Sequence, residues 1–289
     1  MTPTIAILAH FGDAGAVALA THLRRRGVAD AVLADERALA RARFVHHPPS
    51  GSLEGKAAAP MPDAVFLPAG LVLDANTDLV VSRLWALAPA RQATPGGQEY
   101  AEAEAFAFAL SWLAGLGDRI LNRPTPMGLA GPQPDVLRLA QLAAAVGLAT
   151  PHLRLSTNGA SAAPVGAARL SWPGLTTPVA YPTQTPQANG PPLPLPVMFA
   201  DPVRLVAVAL VAGGRVVGAP QGLERHTAAL VDAAELRVGE VVFGATGPGG
   251  SPLVLEVRPV PRILDSPHLD LLTKYAEQRA CRQHAMRAA

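Results

Sequence analysis

The chain has 289 residues, of which 49% are hydrophobic, and its formal net charge is +2. A chain of this length can bury a large core and is expected to form two or three compact units. No apolar run of about 18 residues is free of charges and helix breakers, so we expect no membrane span. Aromatic residues make up only 4% of the chain and the basic charge is mild. We therefore expect no nucleic-acid binding.

The N-terminal stretch and the cysteine content indicate the compartment. Residues 1–10 have no basic region and no cleavage site, and they are typical of a first strand rather than a signal peptide. Cys281 is the only cysteine, which excludes an intramolecular disulfide framework and fits a reducing environment. These features predict a cytoplasmic protein.

The first third of the chain has the pattern of an α/β domain. Apolar spacing predicts a strand, a helix and a second strand, which together imply a parallel sheet with a right-handed crossover. These three elements and the three that follow are a strand over 4–10, a helix over 16–26, a strand over 29–34, a strand over 63–72, and helices over 77–87 and 99–116.

The loop from His10 to Gly15 follows the first predicted strand. Open parallel sheets bind ligands at the carboxyl ends of their strands, so His10 and Asp13 are candidate substrate-binding residues. Gly12 and Gly15 match only the last two glycines of a dinucleotide-binding fingerprint, which supports such a site weakly. Alternatively, both residues are ordinary polar groups of a loop, or the protein is a nucleotide- or sugar-binding α/β protein that uses this loop alone.

The middle of the chain predicts a short strand near 119–122, an amphipathic helix and a strand entered through Pro151. Pro134 suits the first helical turn, and Gly147 can take the left-handed conformation that ends a helix. A strand over 168–172 and a proline-rich loop over 173–196 follow, and this loop fits either a lid or a linker.

The last third predicts two hairpins and two helices. Gly213-Gly214 is a strong two-residue hairpin signal between strands over 203–212 and 215–219. The other predicted elements are a helix over 223–236, strands over 240–243 and 253–257 that flank a glycine-rich turn, and a terminal helix over 268–287.

Five segments share an order and a set of short motifs: Asn122-Arg-Pro, the helix after Pro134, Ser156-Thr-Asn158, Pro196-Val-Met-Phe-Ala200 and Pro252-Leu-Val-Leu-Glu-Val-Arg-Pro-Val-Pro261. Together they resemble an ATP-grasp domain of the amino-acid ligases that modify peptides, ribosomal-protein tails or pterin and furan one-carbon cofactors. The resemblance implies an N-terminal parallel-sheet α/β domain followed by an ATP-grasp-like two-part α+β domain. The implied boundaries are 1–117, 118–196 (the central subdomain with the proline-rich loop) and 197–289 (the C-terminal core subdomain).

The resemblance also implies an activity, which is ATP-dependent ligation of a carboxylate to an amine through an acyl phosphate. The implied cofactors are ATP and Mg²⁺, and the substrate is a small molecule, such as a one-carbon cofactor, or a peptide. We expect a homodimer or a complex with another biosynthetic enzyme.

Five residues are candidates for the implied site. Glu256 matches the family's metal-binding glutamate, and Arg204 matches an arginine that contacts phosphate or the acyl group. Arg169 and Arg258 can replace phosphate-binding lysines, because arginine holds phosphate bidentately. Arg123 lies where the first domain would meet the second, and domain junctions favour ligand clefts.

The sequence departs from the family pattern at the nucleotide site. Asp135-Val136 stands where the family has a lysine, and Arg258 stands where it has a metal-binding asparagine. Each lost charge-assisted contact to phosphate costs about 1.5–3 kcal/mol. Two hypotheses follow, a divergent ligase and a catalytically degenerate binding or partner subunit that does not use ATP. In the second, Arg258 and Glu256 form an ion pair in the place of the metal.

Overall fold

The computed structural model describes most of the chain, in several segments. They are residues 2–27, 29–45, 64–68, 72–74, 76–85, 87, 98–156, 168–170, 197–200, 203–247, 249–262 and 265–288. The predicted proline-rich loop and Asn158 lie outside these residues. The chain divides into two compact units, unit 1 (Met1–Pro132 with Arg262–Ala289) and unit 2 (Gln133–Pro261). The three domain boundaries implied by the resemblance stay a prediction.

The described residues form an alternation of helices and strands followed by a strand-rich half. The strands are β1 (Thr4–Ala9), β2 (Asp30–Asp35), β3 (Arg43–Val45), β4 (Ala64–Phe66), β5 (Val72–Leu73), β6 (Leu79–Ser82), β7 (Leu153–Ser156), β8 (Ala168–Leu170), β9 (Val197–Ala200), β10 (Arg204–Ala212), β11 (Arg215–Val217), β12 (Val238–Ala245) and β13 (Leu253–Arg258). The helices are α1 (Ala14–Arg26), α2 (Glu36–Leu39), α3 (Gln98–Gly115), α4 (Val136–Ala145), α5 (Glu224–Ala233) and α6 (Ser266–Ala288).

Unit 1 is built on a parallel sheet with strand order β2-β1-β6. The predicted crossover through α1 is confirmed, and β1 lies at the centre of the sheet. Its core joins Leu8 of β1 and Val80 of β6 to Trp112 and Leu113 of α3. The terminal helix α6 contacts α1, where Arg26 and Glu277 form an ion pair of 2.8 Å.

Three predictions in unit 1 are wrong. The predicted helix over 77–87 is the strand β6, whose four residues are all buried. Because a strand that is buried on both faces is apolar throughout, its hydrophobic pattern does not distinguish it from a helix. The predicted strand over 63–72 is the antiparallel pair β4 and β5, and a break follows β4 at Leu67 and Pro68. The strand predicted near 119–122 is a 3₁₀ turn over Gly117–Arg119 and a single bridge from Ile120 to Val80.

Unit 2 contains an antiparallel sheet with strand order β11-β10-β12-β13 and a smaller sheet with order β7-β9-β8. Both predicted hairpins are confirmed, and Gly213 and Gly214 have φ values of +57° and +78°, as a two-residue turn of this kind requires. Leu142 of α4 and Leu230 of α5 pack on Val241 and Phe243 of β12. One face of the larger sheet is therefore covered by these helices.

Helix α4 begins at Val136, two residues after Pro134, which was predicted to lie in the first helical turn. The Asp135 carboxylate accepts hydrogen bonds from the backbone N–H groups of Leu137 and Arg138, which makes Asp135 the N-cap and places Pro134 before it. The predicted left-handed end of the helix is confirmed at Gly147, with a φ of +78°. Asp135 thus has a structural role at the position where the resemblance implies a phosphate-binding lysine.

None of the helices in the described segments combines the length and the apolar character needed to cross a bilayer.

Candidate functional site

The pairing of β12 with β13 places three charged residues on one face of the larger sheet. Glu240 lies opposite Arg258, and Val242 lies opposite Glu256. Because side chains alternate along a strand, Glu240 and Arg258 point away from the face that carries Val241 and its helices. Glu256 is two residues from Arg258 and shares its face. Register alone therefore brings two carboxylates to one guanidinium.

The guanidinium of Arg258 binds both carboxylates. Its Nη1 donates to Glu240 Oε1 over 2.8 Å, and its Nη2 lies 2.5 Å from Glu256 Oε2. The side chains of Glu240, Arg258 and Glu256 are 1%, 11% and 14% exposed. The second Glu256 oxygen, Oε1, accepts a hydrogen bond of 3.2 Å from Gln133 Nε2. We call these four residues the Arg258 cluster.

Electrostatics in the Arg258 cluster favour the charged guanidinium. Burial on its own would lower the pKa of Arg258, but the hydrogen bonds and charges of Glu256 and Glu240 outweigh it and raise that pKa above the ordinary value. Arg258 therefore stays protonated and supplies a permanent positive charge between the two carboxylates.

A second group of polar residues lies in unit 1, in the loop between β1 and α1. Asp13 caps α1 by accepting from the Ala16 N–H, and Arg83 donates to both Asp13 oxygens over 2.8 and 3.0 Å. Burial would raise the pKa of the Asp13 carboxyl, but Arg83 and the backbone N–H groups of Ala16 and Gly15 lower it below the usual value. Asp13 is thus an ionised structural group.

His10 lies beside the same loop and is half-exposed. Its Nε2 accepts a hydrogen bond of 3.1 Å from the Trp85 backbone N–H, so the proton of the neutral ring is on Nδ1, 4.0 Å from Glu36 Oε2. His10 and Asp13 line a cavity of about 380 Å³ at the carboxyl ends of β1 and β2. The rest of its wall is largely apolar and includes Phe11, Val17, Leu33, Leu67 and Pro68.

Comparisons with solved structures decide the fold. No protein-family model matches the sequence, and no curated protein sequence matches it. The macrocyclase MdnB from Microcystis aeruginosa MRC has a TM-score of 0.66 at 17% identity, with 95% of this chain and 99% of that chain covered. The chain has the ATP-grasp fold.

Two further ATP-grasp structures match over nearly their whole length. A RiPP-associated ATP-grasp ligase from Chryseobacterium gregarium, in complex with ADP and a leader and core peptide, has a TM-score of 0.64 at 11% identity, covering 98% of this chain and 97% of that chain. The ATP-grasp ligase PsnB, complexed with a minimal precursor, has a TM-score of 0.64 at 15% identity, covering 96% and 99%. The predicted resemblance and the mixed α/β fold class are confirmed.

The contacts of Glu256 do not fit a Mg²⁺ ion of the kind that the ATP-grasp fold implies. Mg²⁺ takes oxygen ligands in octahedral geometry, whereas here a guanidinium binds the same carboxylate. Both Glu256 oxygens are in contact with nitrogen atoms, of Arg258 and of Gln133. Among the described residues, no group of three or more His, Cys, Asp or Glu side chains is placed to hold a metal ion.

The other predicted site residues of the ATP-grasp domain are placed as follows. Arg204 begins β10, opposite Ala245, and is exposed. Arg123 is exposed in the loop after the buried Asn122 in unit 1. Arg169 lies in β8 with its Cα opposite that of Phe199. The functional roles of these three arginines stay predictions.

Two members of these polar groups were not found from the sequence. Glu240 was missed because it lies 16 residues before Glu256 in the chain, and only the pairing register of β12 with β13 places it opposite Arg258. Arg83 was missed because residues 77–87 were wrongly predicted to form a helix. The signal available in the sequence was a charged residue directly after an apolar run.

Proposed function

We propose that this protein binds a peptide, using the fold of the ATP-dependent carboxylate–amine ligases. The proposal is supported by the fold neighbours over 95% or more of this chain, among them ligases solved with a leader and core peptide or with a minimal precursor. Within this class, we favour binding without ligation at the usual metal site. The single observation that carries this preference is the ion pair between Arg258 and Glu256.

Phosphoryl transfer needs positively charged groups beside the negatively charged phosphoryl group. The resemblance implies that a Mg²⁺ ion bound to the glutamate supplies part of that positive charge. Here the charge of Glu256 is neutralised by Arg258, which also neutralises Glu240. A guanidinium held by two carboxylates has little charge left for a phosphate. The same chain can still present a peptide-binding surface.

The second candidate is a divergent peptide ligase that uses ATP. It is favoured by the neighbours named as ligases and a macrocyclase and by the one solved with ADP. In this case other arginines, such as Arg169 or Arg204, would bind the phosphates. Addition of an amino acid to a one-carbon cofactor and a dimeric state also stay predictions, and size-exclusion chromatography with light scattering tests the latter.

One pair of measurements separates the two candidates. The full-length protein is used to select binders from a displayed library of random peptides, and the enriched peptides are then titrated calorimetrically without nucleotide. We expect binding, and a library without any enriched peptide would refute the peptide proposal.

The second measurement is ADP release with Mg·ATP in the presence of each enriched peptide. We expect none above the background of the protein-free reaction. ADP release that depends on the peptide and disappears in Glu256→Gln would establish the ligase instead. The conservative Asp270→Asn variant, changed at an exposed position in unit 1, is the matched control for this substitution.

A further inference from the structure

We propose that the peptide binds to an unpaired edge of β10, as an additional strand of the larger sheet. The edge consists of residues 204–209 on the side of β10 that carries β11, and we call it the open edge of β10. Its occupant is an extended, largely apolar segment of the peptide that includes a carboxylate. This site rests on the proposed function and adds to it the surface and the conformation of the bound peptide.

The open edge results from the unequal lengths of the strands beside β10. β12 pairs with β10 along the whole of Arg204–Ala212, whereas β11 pairs only with Leu210–Ala212. β11 ends at Val217, and Gly218 then turns the chain with a φ of +82°. No other strand of the described segments pairs with β10. About 20 Å of strand is therefore without a neighbouring strand on this side among the described residues.

The backbone groups of Val208 point out of the open edge. Ala212 and Arg215 flank the two-residue turn, so they form the hydrogen-bonded pair that closes the hairpin. The Gly213 N–H donates in the other direction, to the carbonyl of Arg237 directly before β12, over 3.1 Å. Since these directions alternate along a strand, the N–H and C=O of Val208 point to the same side as those of Ala212. β11 does not reach Val208, so another extended backbone can bind both groups.

The side chains at the start of the open edge are apolar and exposed. Leu205 and Val206 are 57% and 47% exposed. An exposed apolar edge is a template on which a second chain forms a strand, and proteins usually cover or interrupt such edges. The irregular pairing with β12 between Leu205 and Ala207 bends only the start of β10, so we expect the regular hydrogen bonds to the peptide at Val208. Apolar side chains of the peptide would cover Leu205 and Val206.

The charge at the open edge favours an acidic peptide over a second copy of β10. Arg204 is exposed and is the only charged residue of β10. No ion pair among the described residues includes it. A carboxylate opposite Arg204 would form a favourable cross-strand pair. A second copy of β10 offers no carboxylate, whereas an acidic peptide does.

Hydrogen exchange tests the site in the full-length protein with the peptide that the displayed library enriches most. We expect exchange across residues 204–209 to slow by about tenfold or more when this peptide is bound, because its backbone closes new hydrogen bonds there. N-methylation of the peptide, one residue at a time, should weaken binding by about tenfold or more at alternate positions, since only every second N–H points to β10.

A variant of the protein provides a second test. Val208→Pro removes the N–H that points out of the edge, a place where strands tolerate proline, and should weaken binding of the same peptide by about tenfold or more. Val208→Thr keeps this N–H and the β-branched shape, and it is the matched control. The exchange and N-methylation measurements decide the question even where Val208→Pro does not fold.

The results that would overturn the site are distinct from those that would overturn the proposed function. A peptide that binds without slowing exchange at residues 204–209, or that tolerates N-methylation at every position, would refute the open edge alone. Exchange at these residues that slows with protein concentration in the absence of peptide would assign the edge to a second copy and refute the site as well. A library without any enriched peptide would refute the proposed function and the site together.

Discussion

Replacing Arg258 with methionine should destabilise unit 2 far more than the loss of a surface ion pair. The variant leaves Glu240, which is 1% exposed, without the guanidinium that contacts it over 2.8 Å. Removing one partner of a buried ion pair costs about 3–5 kcal/mol. Glu256 is 14% exposed and can regain some hydration, so most of the loss should come from Glu240.

Hydrogen exchange measured by mass spectrometry is a suitable assay, because it reports single strands separately, whereas fluorescence averages over the three tryptophans of the chain, of which Trp85 and Trp112 belong to unit 1. The free energy of opening should fall by about 3–5 kcal/mol in β12, while β1 provides an unchanged internal reference. The double variant Glu240→Met/Arg258→Met should recover most of the loss, since the most deeply buried carboxylate is removed together with its guanidinium partner. A single-variant loss below about 1 kcal/mol, the value of a surface pair, would refute this reasoning.

Three further predictions concern other parts of the chain. Asp13→Asn should cost about 1–3 kcal/mol of folding free energy near neutral pH, as measured by urea unfolding. Because the folded-state pKa of Asp13 is lowered, the stabilisation by its carboxylate is complete above about pH 4 and is lost as the pH falls through the lowered pKa. Gly244→Ala should cost about 1–3 kcal/mol in urea unfolding, because a Cβ there would lie 2.7 Å from a leucine methyl and 2.9 Å from a backbone oxygen. The control is Gly247→Ala, where an added Cβ would have no atom within 4 Å. Asp78→Ala should expose α6 to limited proteolysis, because this buried carboxylate contacts two basic side chains of that helix, and an unchanged cleavage rate would contradict the prediction.

Elements with strong local signals could be predicted from the sequence. The hairpin at Gly213 and Gly214 requires two residues with positive φ, and helix α4 ends where Gly147 takes the same conformation. The strand β6 could not be predicted, because its identity depends on pairing with β1, a partner more than 70 residues away in the chain. Tertiary pairing decided this element, and local periodicity carried no information about it.

The candidate site was predictable only in part. The ion pair between Glu256 and Arg258 follows from two residues two positions apart on one strand, and the sequence indicated it as one of two alternatives. Glu240 joins them through the antiparallel pairing of β12 with β13, whose register cannot be read from one strand alone. The bond between Asp13 and Arg83 spans 70 residues and follows from the pairing of β1 with β6, the strand that was predicted as a helix.

The Arg258 cluster supports the proposed function more directly than the absence of the lysines that the resemblance implies. A missing lysine weakens a contact to phosphate, and another arginine can replace it. A guanidinium between Glu240 and Glu256 instead changes the charge of the site itself, from two negative charges that require a cation to a group that already contains one. In the proposed function, restoring lysines at the implied nucleotide site would therefore leave Glu256 paired with Arg258. The proposed choice between binding protein and ligase depends on Arg258 for this reason.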